Sequence, residues 1–288
     1  MKISDYEYSL PEERIASEPP KVRGTSRLLV LNRRTGEFED KQYTDVVRYL
    51  EPGDVLVLND TKVIKARIKA LKQNGAEREL TILEKHGISD DWHTHMVMYR
   101  RKLVVGDILR TTGGAELEVI NVLGDGLAIV KSDTDLLELA ESEGMVPLPP
   151  YMRRDATPLD IERYQTVWAK DKGSVAAPTA SLNMTDEILD ELRAKGIIIC
   201  YATLHVGLGT FMPIRADNVE DHVMHKEFFV VPQKTVAAIQ TAKKSGKRVV
   251  ALGTTITRTL EYAANEILHE EPKQLTGEAD IFMYPGYE

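Results

Sequence analysis

The chain has 288 residues, 42% of them hydrophobic and 28% charged, with a formal net charge of −8. That length predicts two domains in an ordinary globular protein, and the acidic balance argues against coating nucleic acid by bulk charge while leaving room for a local basic face. A single cysteine, Cys200, excludes an internal disulfide and any cysteine zinc cluster and fits a reducing cytosol; without an apolar leader or a membrane-length apolar run, a cytoplasmic protein is expected.

The chain opens with a predicted helix over 9–16, capped by Ser9 with Pro11 in its first turn. A hairpin follows, with strands over 27–32 and 38–43 joined by Arg33-Arg-Thr-Gly36. A short helix over 44–50 ends at Pro52-Gly53, and a strand over 54–58 runs into Asn59-Asp-Thr61. From 63 to 132 the pattern changes to strand-length segments (64–71, 79–84, 92–99, 108–110, 117–123, 127–131) separated by turn signals such as Gln73-Asn-Gly75 and Gly124-Asp-Gly126. Short strands at this spacing, with no long helix, predict a small β-barrel or sandwich inserted into the chain. A helix over 133–143 closes at Gly144.

Met145-Val-Pro-Leu-Pro-Pro-Tyr151 must be extended, because each proline disfavours helix at its predecessor. A helix is expected over 158–169 and a loop over 170–180. Thr185 then caps a helix ended by Gly196, with Asp186 and Glu187 in the first turn where carboxylates suit the dipole. The rest alternates: strand 197–203, strand 226–231, helix 232–245, strand 248–252, helix 255–268, strand 280–284. Helices between apolar strands imply a sheet with helices packed on it. The expected fold is therefore α/β, with residues 1–62 plus 148–288 forming the main domain and 63–147 an inserted β-barrel.

The stretch Tyr201-Ala-Thr-Leu-His-Val-Gly-Leu-Gly-Thr-Phe-Met-Pro-Ile-Arg215 ends a core strand with a histidine, two glycines, an aromatic and an arginine. It is either a tight turn that happens to hold His205 or a site where glycine lets backbone approach a ligand. Val249-Val-Ala-Leu-Gly-Thr-Thr-Ile-Thr-Arg258 is strand, glycine and helix start: an anion site using Thr254 and Arg258, or a capped turn without ligand. His222 and His225 would share one face of a helix, giving a metal pair, a proton-transferring pair or two solvated histidines. Gly207-Leu-Gly209 is not a dinucleotide fingerprint, since the third glycine would fall at Met212. Basic clusters stand at Tyr99-Arg-Arg-Lys102, Arg153-Arg154 and Lys243-Lys-Ser-Gly-Lys-Arg248; each is either solvated charge or a nucleic-acid contact.

The segments Ser26-Arg-Leu-Leu-Val-Leu31, Pro52-Gly-Asp-Val-Leu-Val-Leu-Asn-Asp-Thr61, Pro147-Leu-Pro-Pro-Tyr151, Arg163-Tyr-Gln-Thr-Val167, Gly173-Ser-Val-Ala-Ala-Pro-Thr-Ala180, Thr203-Leu-His-Val-Gly-Leu-Gly-Thr-Phe211, His222-Val-Met-His225, Gly253-Thr-Thr255 with Arg258-Thr-Leu260, and Tyr284-Pro-Gly286 resemble the S-adenosylmethionine:tRNA ribosyltransferase-isomerases of queuosine biosynthesis nearly end to end. The resemblance implies transfer and isomerisation of the ribosyl moiety of S-adenosylmethionine onto the 7-aminomethyl-7-deazaguanine of a tRNA anticodon loop. The products are epoxyqueuosine, adenine and methionine, made by a monomer with no metal or resident cofactor. On the matching motifs, catalysis falls to His205, His222 and His225. Substrate binding falls to Asp60, Thr61, Tyr164, Ser174, Pro178, Thr179, Asn183, Gly207, Gly209, Thr210, Phe211, Thr254, Thr255 and Arg258. Three departures stand out: Ser181-Leu-Asn-Met-Thr185 has Asn183 where the family has histidine, 92–101 lacks a Pro/Gly-containing basic segment, and the family pattern continues beyond Glu288. They leave two other readings: a paralogue that binds a nucleoside or S-adenosylmethionine without this catalysis, and a metal hydrolase built on His222 and His225.

Overall fold

The computed structural model describes residues 1–88, 91–212 and 214–287; Pro213 of the glycine-rich stretch and Glu288, the end of the expected main domain, lie outside them. The chain begins with the hairpin β1 (Arg27–Leu31) and β2 (Phe38–Gln42), followed by the fully buried strand β3 (Val55–Asn59) and the short β4 (Thr61–Val63). Six strands then close on themselves: β5 (Arg67–Lys72), β6 (Glu77–Ile82), β7 (Thr94–Arg100), β8 (Ile108–Thr111), β9 (Glu116–Gly124) and β10 (Leu127–Ser132). The order is β10-β7-β6-β5-β8-β9, antiparallel throughout, with β10 also paired to β9. Alternation within each strand sends Ile68, Leu80, Leu109, Leu117 and Val130 inward. Helix α1 (Leu136–Glu143), capped by Asp135, adds Leu136 and Leu139 to that interior. Arg67 and Met145 exchange backbone hydrogen bonds of 3.0 and 2.9 Å, so the barrel's entry and exit lie side by side.

Helix α2 (Pro158–Arg163) and strand β11 (Asp171–Ser174) lead to α3 (Asp186–Ala194) and β12 (Ile198–Leu204). Then come β13 (Glu227–Val231), α4 (Gln233–Lys244), β14 (Val249–Ala251), α5 (Thr254–Tyr262), α6 (Ala264–His269) and β15 (Leu275–Ala279). The main sheet has the order β14-β3-β12-β13-β15. β14, β3 and β12 are parallel, and β13 is antiparallel to both neighbours. The expected α/β fold interrupted by a small barrel is the fold the chain adopts. Carboxyl ends of parallel strands are where such sheets place ligands. Here those ends are Asn59, Leu204 and Ala251. The Asn59 amide stitches two of them, donating to Leu204 O at 3.0 Å and accepting from Leu204 N at 3.1 Å.

Several expected elements differ. The helix over 9–16 reduces to one 3-10 turn at Glu12–Arg14, with Pro11 and not Ser9 at its start; an isolated turn or two with no buried face cannot offset the cost of nucleation. The 158–169 helix stops at Arg163 because tertiary partners claim the next residues: Gln165 bonds both N–H and C=O of Val63, and Trp168 Nε1 donates to Asn59 O. The 170–180 loop holds β11, parallel to β4, whose polar Asp-Lys-Gly-Ser sequence conceals a strand. The 255–268 helix kinks at Ala263, although Ala263 N–H still bonds Thr259 O and Ile267 N–H bonds Ala263 O. The last strand is 275–279, not 280–284; Gly277 lies under Phe229, where a Cβ would meet the ring at 3.0 Å.

Candidate active site

Beyond the end of β14, Gly253 takes φ 87° and α5 begins with no side-chain cap, so its first-turn N–H groups face outward. Beyond β12, Gly207 starts a 3-10 turn over Leu208–Phe211. Between these two strand ends and the 176–180 segment lies a cavity of about 620 Å³, lined by Tyr164, Pro178, Thr179, Thr210, Phe211 and Thr254 among others. A second cavity, of about 400 Å³, holds Gly209, His222, His225, Thr255 and Arg258. The two share Val206, Thr210, Met212, Thr254 and Thr255 and form one trough around the start of α5.

The glycines of the turn are required by close approach of the protein's own side chains. A Cβ on Gly209 would lie 1.7 Å from Cδ2 and Nε2 of His225, so the imidazole rests on bare backbone. A Cβ on Gly207 would lie 2.3 Å from Glu84 Oε1. Glu227 fixes the same turn: its Oε1 accepts from Gly207 N–H at 2.9 Å, and its Oε2 accepts from Arg258 Nη1 at 2.5 Å. Arg258 Nη2 donates to His225 O at 2.5 Å and Ala279 O at 2.9 Å. Arg258, expected to hold a ligand anion, therefore braces Glu227 and the His225 backbone. His222 and His225 do not share a helix face, since the helical turn here, Val219–Asp221, stops before them; they meet on the trough through an extended segment, with His222 edge-on to Phe282 at 5.2 Å.

Three buried polar atoms at the trough lack a well-formed hydrogen bond among the described residues: Tyr164 Oη, Thr255 Oγ1 and Arg258 Nε. Buried polar groups are normally satisfied, so these atoms are free to meet a polar group in the trough, the Tyr164 phenol in addition to its contact with the Ala177 backbone. Burial also pushes the Tyr164 phenol far above its usual range, keeping it protonated as a donor.

Not every expected site residue is here. His205 is 3% exposed and sits on the opposite face of the chain from Val206, because adjacent residues of an extended segment point to opposite sides. It lines a separate cavity of about 270 Å³ with Lys85, Asp171, Lys172 and Thr203. Its Nδ1 lies 2.8 Å from Thr61 Oγ1, and its pKa is lowered to about 4, chiefly by burial and then by Lys85, so the imidazole is neutral. Thr203 Oγ1 donates to Asp60 Oδ1 at 2.6 Å beside it; burial pushes that carboxyl up. His205 thus lines a cavity apart from the trough, bonded to Thr61 and packed against Gly173, where a Cβ would meet its Cε1 and Nε2 at 3.0 Å.

Ser174 and Asn183 line neither. Ser174 Oγ donates to Ala176 O and accepts from Val206 N–H at 2.7 Å, and Asn183 Oδ1 accepts from Ser26 Oγ at 2.7 Å, so both tie backbone segments together. Sequence reasoning missed Glu227 and Glu84. The one available signal for Glu227 is a lone carboxylate opening the otherwise apolar Glu-Phe-Phe-Val-Val strand.

Residues 3–288 match the family described as "Queuosine biosynthesis protein". A protein of Chlorobium phaeobacteroides named S-adenosylmethionine:tRNA ribosyltransferase-isomerase is 50% identical over 290 residues, covering 100% of this chain and 84% of that protein. One of the same name from Halothermothrix orenii is 45% identical over 290 residues, with 100% and 84% covered. A crystal structure titled as S-adenosylmethionine tRNA ribosyltransferase from Thermotoga maritima aligns with a TM-score of 0.49 and 30% identity, covering 99% of this chain and 81% of that one.

Proposed function

Because the chain belongs to the queuosine biosynthesis protein family, we infer that it carries out the reaction its relatives are named for. It transfers and isomerises the ribosyl moiety of S-adenosylmethionine onto the 7-aminomethyl-7-deazaguanine of tRNA, giving epoxyqueuosine and releasing adenine and methionine. Identity of 50% across the whole chain carries the reaction; the trough's unsatisfied donors and its two histidines support where it takes place.

The positive sulfur of S-adenosylmethionine acidifies its neighbouring C–H bonds, so one group must remove a proton to form the ylide. Adenine leaves more readily if protonated, and the attacking amine must be neutral. When that amine attacks, methionine departs with the carbon–sulfur electron pair. An imidazole nitrogen can both take up and deliver a proton, and among the described residues His222 and His225 bring imidazoles to the trough. The open N–H groups at the start of α5, with Thr254 and Thr255, suit the methionine carboxylate. Tyr164 Oη and Thr255 Oγ1 offer hydrogen bonds to the nucleoside. His205, held neutral by burial, faces its own cavity on the far side of the chain from the trough. S-adenosylmethionine is consumed as a co-substrate, and this chemistry calls on no resident cofactor.

Incubation with S-adenosylmethionine and tRNA bearing the aminomethyl base, followed by nucleoside digestion and mass spectrometry, should show epoxyqueuosine together with free adenine. Binding of S-adenosylmethionine without epoxyqueuosine would mean that the chain keeps the fold and has lost the reaction.

A further inference from the structure

The chain is acidic, yet its three basic clusters meet different fates in the fold. Lys243 and Lys244 end α4, and Arg248 beyond them is committed to the buried Asp54 carboxylate at 3.0 and 2.5 Å. The clusters at 99–102 and 153–154, some fifty residues apart in sequence, are brought to one place. Tyr99 and Arg100 from the end of β7, and Arg153 and Arg154 from the segment after the Pro147–Pro149 run, line a single cavity of about 400 Å³. Pro149 and Phe211 belong to both this cavity and the trough, so the two adjoin.

We propose that this arginine-rimmed cleft between the barrel and the 147–155 segment is the docking face for the tRNA anticodon stem-loop, with the modified base passing Phe211 into the trough. The proposal rests on the function argued above and adds where the RNA lies. The arginines divide by how they are held. Arg67 is paired with Glu79 at 2.7 Å, and Arg154 makes a two-pronged bond to the buried Asp160 at 2.7 and 2.8 Å; these shape the wall. Arg100 and Arg153 are different: their side chains are 74% and 73% exposed. Arg100 is 3.7 Å from Glu79, and the partner of Arg153, Glu12, is itself 76% exposed. Such surface pairs hold little energy and yield readily to a phosphate. Arg101 and Arg153 take φ of 66° and 48°, a left-handed conformation uncommon for non-glycine residues and concentrated at functional sites. Tyr99 lines the same cavity with its ring packed partly on the barrel core, so it serves as wall beside the arginines.

The test compares two charge reversals that alter net charge equally: Arg100→Glu with Arg153→Glu in the cleft, and Lys243→Glu with Lys244→Glu at the end of α4. Steady-state kinetics use tRNA bearing the aminomethyl base. The cleft variant should raise KM for tRNA by about 10-fold or more and flatten the dependence of log affinity on log salt by about 2, one per lost phosphate contact. KM for S-adenosylmethionine should stay within about twofold. The α4 variant should match the wild type. Equal effects in both variants, or none in the cleft variant, would overturn the docking face. If the cleft variant melts early, Arg100→Gln with Arg153→Gln replaces it, with a proportionally smaller rise expected. Filter binding of the same tRNA keeps the question separate from catalysis: a wild type that binds RNA through the cleft and makes no epoxyqueuosine would retain the docking face and reject the reaction.

Discussion

The place of His225 in the trough depends on one absent methyl group. Gly209→Ala would place a carbon 1.7 Å from two atoms of the His225 ring and 2.2 Å from a third, where contact requires about 3.5 Å. The ring must retreat by about 2 Å or swing out of the trough. A displacement of about 1 Å at a catalytic group can cost about 100-fold in rate, so kcat should fall by at least that factor, about 2.7 kcal/mol of transition-state stabilisation. Stability should barely move. Gly209 does not occupy the left-handed region, His225 is only half-buried, and glycine-to-alanine changes at compatible positions gain about 0.4–1 kcal/mol through the unfolded chain. Single-turnover formation of epoxyqueuosine, measured beside thermal unfolding, checks both halves. His225→Asn should reproduce the kinetic loss without the steric push. A Gly209→Ala enzyme that melts like the wild type and turns over at the wild-type rate would remove His225 from the chemistry.

The same geometry sets three further outcomes. Arg258→Met should cost about 3–5 kcal/mol in urea denaturation by stranding the buried Glu227 carboxylate, and adding Glu227→Gln should recover much of it; a single variant within about 1 kcal/mol of the wild type would mean the pair is not desolvated. Tyr164→Phe removes a buried hydroxyl that has no well-formed partner, so the melting temperature should hold or rise while KM for S-adenosylmethionine increases; an unchanged KM would assign the phenol no ligand. His205 has a folded pKa of about 4 against 6.5 for the free side chain, so its neutral form stabilises the fold above about pH 6.5, and that stability is lost as pH falls towards 4. The loss amounts to about 3 kcal/mol, and His205→Gln should show a shallower decline across the same window than the wild type.

The features legible in the sequence are those set by local chemistry. The apolar runs of β3 and β12, the capping threonine at Thr185, and the spaced turns of the barrel each announce themselves within a few residues. The hidden features depend on distant partners. β11 is polar and becomes a strand only because Thr61–Val63 lies alongside, and β15 carries a glycine because Phe229 lies over it. The site shows the same division. Glycines 207 and 209 signal a close approach without saying whether a ligand or the protein itself presses on them; Glu84 and His225 are what press on them here. His205 faces away from the trough for a reason set by strand geometry: a side chain one residue along an extended backbone faces the other way, so a histidine beside Val206 lines the cavity on the far side of the chain. Arg258 and Glu227, thirty-one residues apart, hold the start of α5 against the Gly207 turn through a bond that no pattern along the chain records.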